Sequence, residues 1–101
     1  MPAMQRDMSA PVPAPVTVKL SGALVNLFPT APRRVEVTAS TVSEMIDALD
    51  ARWPGMRDRI CDSRPAIRRH MNVFVDGERA TLRTPLAPGA EVFVITAISG
   101  G

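Results

Sequence analysis

The chain has 101 residues, 46% of them hydrophobic, and a formal net charge of +2, which fits one domain with one core and is too little charge to imply a polyanionic partner. Its one cysteine, Cys61, excludes an intramolecular disulfide and a four-cysteine iron–sulfur site, and its one histidine, His70, excludes a cluster of histidine metal ligands. No run is long and apolar enough to span a bilayer and the N-terminus lacks the apolar core of a secretory signal, so a soluble cytoplasmic protein is expected.

Residues 1–15, with four prolines and three methionines and no periodic apolar face, read as a disordered leader. The domain is expected over residues 16–101. Residues 16–20 alternate strictly, with Val16, Val18 and Leu20 on one face and Thr17 and Lys19 on the other, the pattern of a half-buried strand. Ser21 and Gly22 begin a loop whose next residues (23–28) fit no single period, and Pro29 and Pro32 keep it from being a central strand. Residues 34–39 alternate again, placing Val35 and Val37 inward. The two strands are expected to form an antiparallel hairpin with a long connection.

Thr41-Val42-Ser43-Glu44 has the form of a capping box, with the Thr41 hydroxyl accepting from the backbone and Glu44 reaching back. Val42, Met45, Ile46, Leu49 and Trp53 then recur at helical spacing as one apolar stripe, ended by Pro54-Gly55. Residues 56–62 predict a further helical turn burying Met56, Ile60 and Cys61. A basic loop follows over 63–70. Residues 71–78 predict a strand, an Asp76-Gly77 turn and a short return around 80–82. Residues 92–98 predict the last strand.

This order predicts a mixed sheet of four to five strands with one main helix packed across one face, an α+β architecture. The first and last strands are expected side by side and parallel at its centre. The expected core is Val16, Val18, Leu20, Val35, Val37, Val42, Met45, Ile46, Leu49, Val73, Val75, Val92 and Val94. With those valines inward, Phe74, Phe93 and Ile95 face outward as an apolar patch, the kind of surface that marks a partner site. The chain then ends in Ser99-Gly100-Gly101. Two glycines without Cβ can thread a narrow slot, and the terminal carboxylate, ionised at neutral pH, can attack a phosphoryl group.

The alternating first strand, the capped helix, the Asn72-to-Glu78 segment and the Pro88-Gly89, Glu91, apolar strand, Gly-Gly ending together resemble the ThiS/MoaD-type sulfur carriers over residues 16–101. The resemblance implies the ubiquitin-like β-grasp fold and a protein that is not itself an enzyme. It implies that the Gly101 carboxylate is adenylated by a ubiquitin-activating-type enzyme using ATP and becomes a thiocarboxylate that gives its sulfur to an acceptor synthase. Gly100 and Ser99 would form the threading tail, and Phe74, Phe93, Ile95 and Ile98 the docking residues. It implies no bound cofactor, ATP being held by the partner, and a separate sulfur donor. The long basic segment before Asn72 resembles most the carriers linked to cysteine-synthase-like enzymes, with the molybdopterin synthase small subunit as the rival destination.

Two other classes share these features. A ubiquitin-like modifier would join Gly101 to lysines of other proteins. A nucleic-acid-binding β-grasp module would use Arg57, Arg59, Arg64, Arg68 and Arg69, but no aromatic residue lies among them. Lys19 is the only lysine. Cys61, among apolar neighbours, reads as a small core residue, and Asp58 and Asp62 read as ion-pair partners of Arg57 and Arg59.

Overall fold

In the computed structural model the described residues are 15–63 and 66–96. The elements are β1 (Pro15–Leu20), α1 (Gly22–Val25), β2 (Arg34–Thr38), α2 (Val42–Arg52), α3 (Met56–Ile60), β3 (Met71–Val75), β4 (Glu78–Arg79) and β5 (Glu91–Thr96). They form a five-stranded mixed sheet in the order β2-β1-β5-β3-β4. β1 pairs antiparallel with β2 and parallel with β5, and β5 pairs antiparallel with β3. The first and last strands therefore lie together at the centre, as the alternation predicts, with the helices in the crossover between them.

Register builds the core in rows. Val35, Val18, Val92 and Val75 align across four strands, and Leu20, Val94 and Val73 align in the next row. Val42, Met45, Ile46 and Leu49 of α2 are fully buried against this face. Val75 departs from the expected core and is half-buried, because only the two-residue β4 lies beyond its strand. Leu24, Met71 and Leu86 join the core beyond expectation, as Met56, Ile60 and Cys61 do in accordance with it. Trp53 is half-buried rather than core. Its indole N–H donates to Thr30 Oγ1 at 3.1 Å, which holds the polar edge of the ring outside the apolar stripe.

Three local expectations are corrected by tertiary contacts. The Thr41 hydroxyl accepts from Glu44 N at 3.1 Å, but the Glu44 carboxylate reaches Ser40, accepting from its backbone N–H and its hydroxyl at 2.9 Å each. The first two donors of α2 are taken by a loop: Val42 N donates to Thr84 O and Ser43 N to Leu82 O. The ambiguous segment after Ser21 closes as a one-turn helix, because the Ser21 side chain accepts from Leu24 N and Leu24 is buried. The return strand starts at Glu78, earlier than expected, since Asp76 (φ 50°) and Gly77 (φ 89°) make a two-residue turn with both angles positive.

The basic segment is not a free loop. Asp62 N donates to Ala66 O, Arg68 N donates to Ile60 O, and Cys61 bridges Ile67, folding it back on α3. The joint between α2 and α3 is fixed by Asp50, whose Oδ1 accepts from Gly55 N and Arg57 N, while Gly55 itself sits at φ 99°. Arg57 pairs with Asp47 of α2 at 2.7 Å, which ties the two helices together.

Truncating the centre of the helix stripe by Leu49→Ala should lower unfolding free energy by about 2–5 kcal/mol in urea titrations; a loss below about 1 kcal/mol would contradict this packing. The Glu44 carboxyl is held below its ordinary value of 4.5, chiefly by the Ser40 backbone N–H and then by its hydroxyl. A depressed folded value means that Glu44 stabilises the chain above about 4.5 and ceases to do so as pH falls through the folded value. The melting-temperature gap between wild type and Glu44→Gln should therefore be present at neutral pH and close in acid.

Candidate functional site

The site is built around β5, which is paired on both sides and so cannot shift without breaking two ladders. Its last described residue, Thr96, pairs with Met71 of β3. Ser21 holds the same end from the other side: its backbone N–H donates to Val94 O at 3.0 Å, and its Oγ lies 3.4 Å from Thr96 Oγ1. The start of β5 is held as firmly, since Asp76 N donates to Glu91 O and Asp76 Oδ1 accepts from Glu91 N. The strand thus gives residues 97–101 a fixed root. Ile98, Ser99, Gly100 and Gly101, the tail residues singled out in the sequence, lie outside the described residues.

Phe74, Phe93 and Ile95 face away from the helices, as the alternation requires. Phe74 stands directly opposite Phe93, while Ile95 stands opposite Asn72. All three are half-buried, so the expected bare apolar patch is partly covered. Over Phe93 lies Lys19, placed beside it by the parallel register, with its ammonium 5.1 Å from the ring centroid. The same ammonium lies 3.5 Å from Glu91 Oε2, an exposed pair of the kind that adds at most about 1 kcal/mol. Across the face one register row reads Arg34, Lys19, Phe93, Phe74, Arg79, aromatic in the middle and cationic at both ends. A shallow hollow of about 260 Å³ between Arg33, Arg34, Lys19, Phe93 and Ile95 continues it. Sequence reading gave the outward aromatics but missed Lys19 as their neighbour; its outward position was visible, and only the register of β1 on β5 was not.

Among the described residues no group of His, Cys, Asp and Glu side chains is placed to hold a metal ion. Cys61 is buried, and burial raises its thiol pKa, with Arg57 opposing and Asp62 adding to the shift. His70 is exposed in the turn before β3.

A mixed five-stranded sheet with its helices in one crossover, ending on a doubly paired central strand, defines a ubiquitin-like β-grasp protein. The sequence model of the ThiS family matches residues 18–101, and the chain belongs to that family of small ubiquitin-like sulfur carriers and modifiers. SAMP1 from Haloferax volcanii is similar at 28% identity, over 87% of this chain and 100% of its own, with a TM-score of 0.74. CysO of Amycolatopsis orientalis, solved in complex with BexX, is similar at 27% identity over 85% and 99%, with a TM-score of 0.76. CysO from Mycobacterium tuberculosis, described as an antigen, is similar at 26% identity over 82% and 99%, with a TM-score of 0.75. No curated protein sequence matches the chain. Among the described residues no helix is long and apolar enough to cross a membrane.

With its thiol buried and its pKa raised, Cys61 should react with iodoacetamide only as fast as the chain opens. Labelling at pH 7.5 is expected to accelerate steeply through the urea transition; rapid labelling of the folded chain would contradict the burial.

Proposed function

We propose that this chain is a sulfur carrier and a substrate of other enzymes rather than an enzyme itself. The Gly101 carboxylate attacks the α-phosphorus of ATP on a partner activating enzyme, expelling pyrophosphate and forming an acyl-adenylate. A carboxylate is a poor acyl donor, and adenylation supplies the leaving group it lacks. A sulfide equivalent from a separate donor then adds to the acyl carbon and AMP departs, leaving a thiocarboxylate that an acceptor synthase consumes. The chain contributes the acyl end, its rigid root at Thr96, and an address on the sheet face around Phe93. ATP is bound by the partner, and the setting is cytoplasmic.

The observation that carries this reading is the family match running through Gly101, directly beyond a strand anchored on both sides. The likeness to CysO proteins, with the long segment between α2 and β3, supports synthesis of cysteine or another sulfur metabolite as the destination over the molybdopterin branch. The likeness to SAMP1, a small archaeal modifier protein, supports a second reading in which Gly101 is conjugated to lysines of other proteins.

Intact-mass analysis after incubation with ATP, the adenylating enzyme of the same genome and a sulfide source should show an adenylate and then a thiocarboxylate at Gly101. An unchanged mass would overturn the proposal, and isopeptide-linked products would turn it towards the modifier reading. Phe93→Asp should leave the melting profile close to wild type yet raise KM for the carrier in the adenylation assay at least about tenfold. Unfolding of that variant would show that the ring is structural rather than part of the address.

A further inference from the structure

The basic segment singled out in the sequence, which the proposed function leaves unused, forms one wall of an open groove of about 610 Å³ on the other side of the β5 exit. Four separate stretches of chain meet there. Leu24 and Leu27 line it from α1 and the residues after it, Arg59 from α3, Arg68 and His70 from the basic segment, and Thr96 from the end of β5. Leu27 is 50% exposed and is the one exposed large hydrophobic side chain among the described residues. Arg68 is steadied at the rim because its Nε donates to the backbone oxygen of Asp58 at 2.7 Å. The Asp58 carboxylate is the one acidic side chain in the lining, against two guanidinium groups.

We infer that this groove is a second docking surface, distinct from the Phe93 face, for an acidic segment carrying one apolar anchor side chain on the protein that takes up the tail. This rests on the proposed function. Two features select the occupant. Two arginines favour carboxylates, and Leu27 offers an uncovered apolar contact beside them, so a short stretch of Asp or Glu around a Leu or Phe complements both. Thr96 selects the protein that carries it. Residues 97–101 reach at most about 18 Å when extended, so an enzyme enclosing Gly101 must bring its own surface up to the β5 exit, where the groove opens. No phenylalanine, tyrosine or tryptophan lines the groove, which removes the stacking platform that single-stranded nucleic acid uses.

The test is the adenylation assay with full-length chain and the adenylating enzyme of the same genome. Arg59→Glu should raise KM for the carrier about tenfold with kcat unchanged, Arg59→Lys should recover most of it, and Leu27→Ala should raise KM several-fold. KM should also climb with added NaCl more steeply for wild type than for Arg59→Glu, because the pairing it removes is screened. If wild type is adenylated and KM of Arg59→Glu and Leu27→Ala stays within twofold, the groove inference falls and the proposed function stands. If wild type is never adenylated, the proposed function falls and takes the inference with it. Shifts of Leu27 and Arg59 resonances on adding oligouridylate, with KM unaffected by the variants, would overturn the inference in favour of a nucleic-acid contact.

Discussion

The structure depends on one pairing, the parallel ladder that joins the first strand to the last. Residues 17–20 align with residues 91–94, so the chain must leave the sheet after β2, cross one face as helix and return. That ladder determines which face is buried and where the helices lie, and with β3 pairing on the other side the final strand has a neighbour on each side. A C-terminal strand at a sheet edge would fray. This one is paired with β3 to its last described residue and with β1 as far as Val94, beyond which Ser21 from the β1–α1 junction holds the end.

That constraint produces the functional geometry. A strand locked in two ladders fixes the position of Thr96, the residue that residues 97–101 follow in the sequence. The same strand displays Phe93 and Ile95 on the open face, so in the proposed function the address lies on the element that precedes the acyl end in the chain. Lys19 adds a cation to this face through the same ladder, because parallel register sets it beside Phe93. As the only lysine it is the one side-chain amine through which copies could be linked, and such a link would lie across the Phe93 face. Such a link and docking through that face exclude one another.

Much of this was legible in the sequence because it is periodic. The alternation in β1, β2, β3 and β5 marks the inward valines and the outward Phe74 and Phe93, and the stripe from Val42 to Leu49 marks the helix and its buried side. What was not legible depends on partners distant in sequence. Glu44 turns to Ser40, one residue before the cap, and the first two helical donors go to the loop at residues 82–86, which no local pattern announces. Leu24 is buried because a single turn of helix docks against the sheet, in a stretch too short to show a period. Trp53 fits the stripe by spacing, and only the presence of Thr30 explains why its polar edge sits outside. The groove at the β5 exit draws on segments from Leu24 to Thr96, and the tail motif itself was read from residue type alone.

In the proposed function a partner grips the Phe93 face and must load the terminal carboxylate within the reach that five residues beyond Thr96 allow. Inserting three residues, Gly-Ser-Gly, between Thr96 and Ala97 lengthens that reach by about 10 Å without touching the fold. The expected result is an unchanged melting profile with a fall in kcat/KM for adenylation of at least about tenfold. Adenylation at the wild-type rate would contradict it.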